Sequence, residues 1–179
     1  MSAYPAHLIA EHRLSDGRSI TIRPIRRDDG DRVLDFLNAT SEDSRYSRFH
    51  QWVRAPSAAL IHFLTDVDYD RHMALVSATG HGDGEVLVGE ARYIASADGK
   101  SCDFGILIED AWHKSGIAGL LMETLIRAAR ERGLTTMEGL VLANNQAMLN
   151  FAHQLGFDVR PAPGDPTTVR IALNLQAGA

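Results

Sequence analysis

A chain of 179 residues, 45% hydrophobic and 23% charged, is long enough to bury one substantial core and has an ordinary globular composition. A formal net charge of −5 and a pI near 5.9 exclude a general nucleic-acid binder, which would be basic. No apolar run approaches the roughly 18 residues of a membrane span; one cysteine excludes an internal disulfide framework, and eight scattered histidines without H-E-x-x-H or C-x-x-C spacing offer no metal site.

In chain order, M-S-A-Y-P-A-H lacks the basic region and apolar core of a secretory leader, so a soluble, cytoplasmic protein is expected. Residues 1–14 carry little pattern and read as a loose arm, although Asp16-Gly17 is a turn signal that would let 8–14 and 19–24 pair as a hairpin. S-I-T-I-R-P alternates and reads as the first full strand. Asp28 or Asp29 then caps a helix carrying Val33, Leu34, Phe36 and Leu37. Ser41 starts a second helix through Arg45, Tyr46, Arg48 and Phe49, Pro56 breaks it, and Ser57 caps a third over 58–64. Strands follow at 72–78 and 85–95 and, after the tight turn Ala97-Asp98-Gly99-Lys100, at the run that holds Asp103. Beyond residue 133 the pattern predicts a strand at 136–142, a helix at 145–154 and strands near 157–160 and 168–175, the last with Val169, Ile171, Leu173 and Leu175 inward. No repeat, linker or low-complexity tract divides the chain, so one domain over 1–179 is expected.

The informative stretch is 103–133. Phe104, Ile106 and Ile108 fall on one side of a short strand and Leu107 on the other. After a polar segment the period changes: Ile117, Leu120, Leu121, Leu125 and Ala128 recur at helical spacing, with Glu123, Arg127, Arg130 and Glu131 opposite, and Gly133 closes the helix. Small residues at 116, 118 and 119 therefore stand where a helix begins. Its first backbone N–H groups lack partners there and the peptide dipoles add partial positive charge, so a phosphate or pyrophosphate is the natural guest, with Lys114 adding a full charge. The plain alternative is a glycine-bearing turn that packs and binds nothing. Neither G-x-x-x-x-G-K-[ST] nor G-x-G-x-x-G followed by an acidic residue is present, which excludes the P-loop and leaves a dinucleotide fingerprint unsupported.

His113-Lys114-Ser115-Gly116-Ile117-Ala118 resembles the [Q/R]-x-x-G-x-[G/A] loop that cradles the coenzyme A pyrophosphate in the GNAT superfamily of N-acyltransferases. G-L-V-L-A-N-N-Q-A-M-L-N-F-A-H-Q-L-G-F, residues 139–157, is similar to the strand, Asn-bearing turn, helix and L-G-F ending that follow that loop. Further segments, T-I-R-P-I-R-R-D-D, S-E-D-S-R-Y-S-R-F and D-Y-D-R-H-M-A-L-V, resemble bacterial GNAT domains of the protein-lysine acetyltransferase type. The resemblance implies an α/β (α+β) fold, a mixed central sheet flanked by helices in the order β-α-α-β-β-β-α-β-α-β-β. It also implies acetyl-CoA as co-substrate without a metal, and an amine acceptor, a protein lysine or a small molecule, attacking in a ternary complex. No nucleic acid or membrane partner is expected. The alternatives are a non-catalytic acyl-CoA-binding sensor or interaction module and an acyltransferase for longer acyl groups.

By the same resemblance the general base falls on Asp103, a carboxylate one methylene shorter than the family's Glu, favouring relay through water; its other reading is a cap at the strand start. Glu90 is the reserve base, or a solvent-facing carboxylate. Ile106, Leu107 and Ile108 are implied to contact the pantetheine arm, and His113, Lys114, Ser115, Gly116, Ile117, Ala118 and Gly119 the pyrophosphate. Asn145 is implied to reach the pantetheine amide and, independently, suits a helix N-cap. His113 replaces the family's Gln or Arg, and Ala152 its Tyr, the acid for the leaving thiolate. His153 reads as a surface or packing residue, Cys102 as packing. The cluster 45–49 could grip an acidic or polar acceptor; read from its pattern, the aromatics go inward and the arginines are solvated.

Overall fold

Alternation and turn chemistry produce the strands directly. In the computed structural model, which describes residues 3–51 and 53–176, β1 (Ala10–Arg13) and β2 (Ser19–Pro24) pair antiparallel across a turn in which Gly17 takes φ +88° and the Asp16 carboxylate accepts from Arg18 N–H. β3 (His72–Thr79) is followed by β4 (Val86–Ala95) and β5 (Ser101–Ile108). The turn between the last two sets Gly99 at φ +66°, and Asp98 accepts from Lys100 N–H and the Ser96 hydroxyl. β6 (Thr136–Leu142), β7 (Asp158–Pro161) and β8 (Thr168–Asn174) complete one eight-stranded sheet in the order β1-β2-β3-β4-β5-β6-β8-β7. Among the described residues only β5 and β6 pair in parallel, because the helix between them carries the chain back across the sheet.

The helices are α1 (Gly30–Ala39), α2 (Glu42–Phe49), α3 (Ala58–Thr65), α4 (Ile117–Glu131) and α5 (Gln146–Gln154). This is the expected mixed α/β fold; β1 and α3 stand outside the order that the resemblance implies, but the Ser57-capped helix and the hairpin across Asp16-Gly17 are where the residues placed them. The loose arm expected over 1–14 needs correcting. Leu8 and Leu14 are buried, β1 is hydrogen-bonded to β2, and the Tyr4 hydroxyl donates to the Pro24 carbonyl at 3.0 Å. Two isolated leucines give no periodic signal, and only the edge of β2 makes them core residues. Positions 1 and 2 lie outside the described residues.

Period-two alternation divides the core between the two faces of the sheet. Leu75, Tyr93, Ile108, Met137 and Ile171 pack against Leu121, Met122 and Leu125 of α4. On the other face Ala74, Val76, Leu87 and Leu107 meet Val33, Phe36 and Leu37 of α1 and Leu64 of α3. Leu107 thus takes the opposite side from Ile106 and Ile108, as its alternation requires. Ser41 and Ser57 cap α2 and α3, accepting from Ser44 N–H and Leu60 N–H. Among the described residues no helix is long and apolar enough to cross a membrane.

Asp29 stands at the start of α1 but does not cap it. Its carboxylate accepts two bonds from the Arg23 guanidinium, at 2.7 and 2.8 Å, and one from Arg26 N–H at 2.8 Å. Arg23 also donates to Glu85 at 2.6 Å, joining β2, α1 and the entry to β4. Burial works against ionisation of Asp29 and Glu85, but the bonds and charge of Arg23 prevail, and both carboxyls titrate below their ordinary values. Removing one member of a buried pair costs about 3–5 kcal/mol because the other charge is left alone. Asp29→Asn is expected to lose roughly that much in urea denaturation at neutral pH. Depressed folded-state values also mean that this stability is complete above the unfolded carboxylate range and drains as pH falls through the folded values. The variant's denaturation midpoint should therefore fall less than the parent's on acidification, and equal acid sensitivity of the two would contradict the assignment.

Candidate active site

The parallel pairing of β5 with β6 lasts for three residue pairs, Ser101↔Thr136, Cys102↔Met137 and Asp103↔Glu138. Beyond it β5 continues to Ile108 against β4 and β6 to Leu142 against β8, so the two strands part. Phe104 holds them open. A Cβ at Gly139 would stand 2.9 Å from its ring, so only glycine lets the ring enter there, and Phe157 packs on the ring at 5.1 Å between centroids. The gap is a cleft of about 780 Å³ walled by residues 104–108, by 112–116 with Ala118 and Gly119, and by 139–141 with Asn145, Met148 and Phe151.

One end of the cleft is the mouth of α4. Lys114 takes φ +61° and Gly116 φ +92°, so the loop turns its amides outward. The N–H groups of Lys114, Gly116, Ala118 and Gly119 meet no acceptor among the described residues; the first helical bond runs from Leu120 N–H to the Gly116 carbonyl. A Cβ added at Gly116 or Gly119 would touch nothing within 4 Å, so the space above these amides is open. A helix N-terminus with free donors and no side chain in front of it fits a pyrophosphate. Ile117 belongs to this loop through its backbone only; its side chain is fully buried against the sheet and its N–H faces the Ser115 hydroxyl at 3.4 Å. The His113 Nε2–H donates to the Ile108 carbonyl at 3.0 Å, tying the loop to the end of β5.

The other predicted residues fall as follows. Ile106, Leu107, Ile108, His113, Lys114, Ser115 and Asn145 line the cleft. Asn145 also caps α5, its Oδ1 accepting from Met148 N–H at 3.1 Å. Asp103 is exposed at the last paired position before the strands part, just outside the residues that wall the cleft, and among the described residues its carboxylate makes no hydrogen bond or ion pair, so the strand-cap role is not filled. Cys102 is buried and its thiol is pushed up to about 12 by burial and by the neighbouring Asp103 charge, which suits packing. Ala152 is fully buried, His153 is exposed, and neither walls the cleft.

Two expectations are overturned. Glu90 is buried rather than solvent-facing, because α1 packs over β4 on that side of the sheet and Arg48 of α2 reaches across to it. It accepts from Arg92 Nε and lies 4.0 Å from Arg48 Nε. The arginines of α2 are not solvated either. Arg45 turns inward and donates to the carbonyls of Leu37, Thr40 and Val53, which closes the end of α1. Arg48 lies in the cleft wall over Gly105. Asp110, just beyond β5, accepts from Ser41 N–H and from the hydroxyls of Ser41 and Ser44, and so pins the start of α2 beside the cleft. Sequence reading set Arg48 in a cluster that could meet an acceptor but favoured solvent for its arginines, and it missed the Phe104–Gly139 wedge; glycines at 105 and 139 within strand patterns were the available signal.

Comparison with known proteins agrees with this geometry. The family described as acetyltransferase (GNAT) domain matches residues 19–158. "Acetyltransferase PA5475" of Pseudomonas aeruginosa is 37% identical over 163 residues, 89% of this chain and 87% of that protein. The GNAT domain of PAT from S. lividans superposes with a TM-score of 0.86 at 28% identity, covering 96% of this chain and 99% of that one. yncA, a putative acetyltransferase from Salmonella typhimurium solved with its cofactor acetyl-CoA, shares the fold at a TM-score of 0.66 and 21% identity, over 89% of this chain and 96% of its own. With a splayed parallel pair, an open amide mouth and a family match over most of its length, this chain belongs to the GNAT family and is an N-acetyltransferase.

Proposed function

We propose that the chain takes an acetyl group from acetyl-CoA laid along the cleft and passes it to an amine, a protein lysine or a small molecule, by direct attack in a ternary complex. The observation that carries this reading is the set of unpartnered amides at the mouth of α4, which opens into the gap between β5 and β6. The N–H groups of Lys114, Gly116, Ala118 and Gly119 would hold the pyrophosphate. The dipole contributes only about 0.3–1 kcal/mol, up to ~2 when partly buried, so the strand edge must supply the rest. Residues 106–108 face the gap where an extended pantetheine arm can add to the sheet as a further strand would. A backbone N–H of that segment would meet the thioester oxygen and stabilise the charge that develops on it.

The attacking amine has to be neutral, and a lysine-type amine has a reference pKa of about 10.4. Asp103, free of other partners where the strands part, is the carboxylate we assign to take its proton, through a water because its side chain is short. The amine nitrogen bonds to the acyl carbon, the C–S bond breaks, and the thiolate leaves. A free thiol has a pKa of about 8.5, so solvent can protonate it without the side-chain acid that Ala152 does not supply.

In an assay of coenzyme A release over an amine panel that includes peptides, Asp103→Ala should lower kcat by about a hundredfold or more while keeping the thermal stabilisation given by acetyl-CoA. Full turnover in that variant would remove Asp103 from the mechanism. Stabilisation by acetyl-CoA without amine-dependent thiol release in the parent would instead identify an acyl-CoA-binding module. Gly119→Glu should fold normally, since its Cβ meets nothing within 4 Å. The carboxylate it brings to the amide mouth should raise the KM for acetyl-CoA about tenfold or more, and an unchanged KM would place the pyrophosphate elsewhere.

A further inference from the structure

The chemistry proposed above leaves one charged group at the cleft without a task. Arg48 of α2 has a side chain only 15% exposed, yet no hydrogen bond from its guanidinium reaches any described residue, and its Nε is sealed from solvent without a partner. Its one ion pair is with Glu90, Nε to Oε2 at 4.0 Å, too far for a hydrogen bond. Glu90 is already committed to Arg92. Arg92 in turn uses its whole fork: Nε donates to Glu90, Nη1 to His72 Nε2 at 2.9 Å, and Nη2 to the Leu64 carbonyl at 3.0 Å. Burial and then the Arg92 charge hold the His72 imidazole down to about 4, so it is neutral and accepts. The cluster therefore contains two guanidinium cations, one carboxylate and one neutral ring, a surplus of one positive charge beneath α2. Asp43 and Asp103, the nearest other acids along the same elements, form no ion pair with Arg48. Glu90 at 4.0 Å and the Phe49 ring, 5.0 Å from the Arg48 Cζ, leave the hydrogen-bond donors of Arg48 unmet, and leaving donors unmet at such a depth is costly unless something else supplies the acceptor.

The strand beneath makes room for the guanidinium. A Cβ at Gly105 would clash with its Cζ and with each Nη, so Arg48 can lie there only because residue 105 is glycine. Both residues are in the cleft wall. Gly105 and Asp103 face the same side of β5, two positions apart, which is about 7 Å at the rise of a strand. The vacant donors thus lie at the end of the cleft where the acyl group and the amine would meet, remote from the amide mouth along β5.

We propose that Arg48 receives a carboxylate carried by one of the two substrates. The inference rests on the transferase reading for the identity of those substrates. A planar fork with free parallel donors matches the two oxygens of a carboxylate, and a single negative charge balances the cluster where a phosphate would overshoot it. The carboxylate has two possible sources: the far end of a dicarboxylic acyl thioester, or an acceptor of amino-acid type whose amine lies toward Asp103.

The test uses matched substrates that differ only in that charge. The full chain is assayed with succinyl-CoA against acetyl-CoA on a common amine. It is also assayed with glycine, 4-aminobutanoate and lysine, each against its carboxamide, on acetyl-CoA. In one of these arms the carboxylate partner should win by about tenfold or more in kcat/KM, and the winning arm names the source. That ratio should fall toward one in Arg48→Met and be kept in part by Arg48→Lys, which retains the charge but not the fork. No preference in either arm, or a preference that survives Arg48→Met, overturns the proposal. Should Arg48→Met fail to fold, the parent's ratios and those of Arg48→Lys decide it. Should no pair release thiol, the transferase reading is what fails. Arg48 is then judged by thermal shift with the same pairs: a larger shift from the carboxylate member supports it, and equal shifts overturn it.

Discussion

Everything in this molecule depends on two parallel strands that stop pairing. After Asp103↔Glu138, β5 and β6 leave the backbone groups that would have bonded each other facing a common gap. Elsewhere in a sheet such groups would be a liability, because unpaired edges cost hydrogen bonds or invite another chain. Here the outer neighbours, β4 and β8, hold each strand from its far side, so the gap persists without loss of the sheet. Phe104 over Gly139 blocks the strands from closing, and the Phe157 ring supports it. An extended, amide-bearing ligand can complete such a gap, and a pantetheine arm is one.

Two electrostatic features lie along that gap, and neither follows from the net charge of the chain, which is −5. The mouth of α4 is positive through oriented peptide groups, at no cost in cationic side chains. The far end is positive through Arg48, whose surplus comes from burying two arginines around one carboxylate. The first suits a pyrophosphate and the second a single carboxylate. Asp103 stands at the last pair before the gap opens, with its carboxylate unengaged among the described residues. The buried Arg23–Asp29–Glu85 group is of a different kind. Its charges are fully paired, and it joins strands and helix without facing the cleft.

Several parts of this arrangement were legible in the residues. The change from period two to helical spacing between Ile108 and Ile117 located the strand, the loop and α4, and the small residues at 116, 118 and 119 located the open amides. The alternation of Leu107 against Ile106 and Ile108 assigned the two faces of β5 correctly. Other parts were read wrongly for a shared reason. Glu90, Arg45 and Arg48 are charged residues in patterns that suit solvent; the first two are buried and Arg48 largely so, because elements distant in sequence cover them. Leu8 and Leu14 show the converse, apolar residues without periodicity that become core through the edge of β2.

Local chemistry along the chain was enough to determine most of the elements, the caps of α2, α3 and α5, and the turn whose amides stand open. All of these depend on bonds between residues a few positions apart, whose geometry is set by φ, by side-chain length and by repeat. The parting of β5 from β6, the depth at which Arg48 lies over Gly105 and the freedom of Asp103 were decided only by tertiary structure. Each depends on which strands run side by side and which helix lies above them, so its energy belongs to contacts between segments that no local pattern encodes.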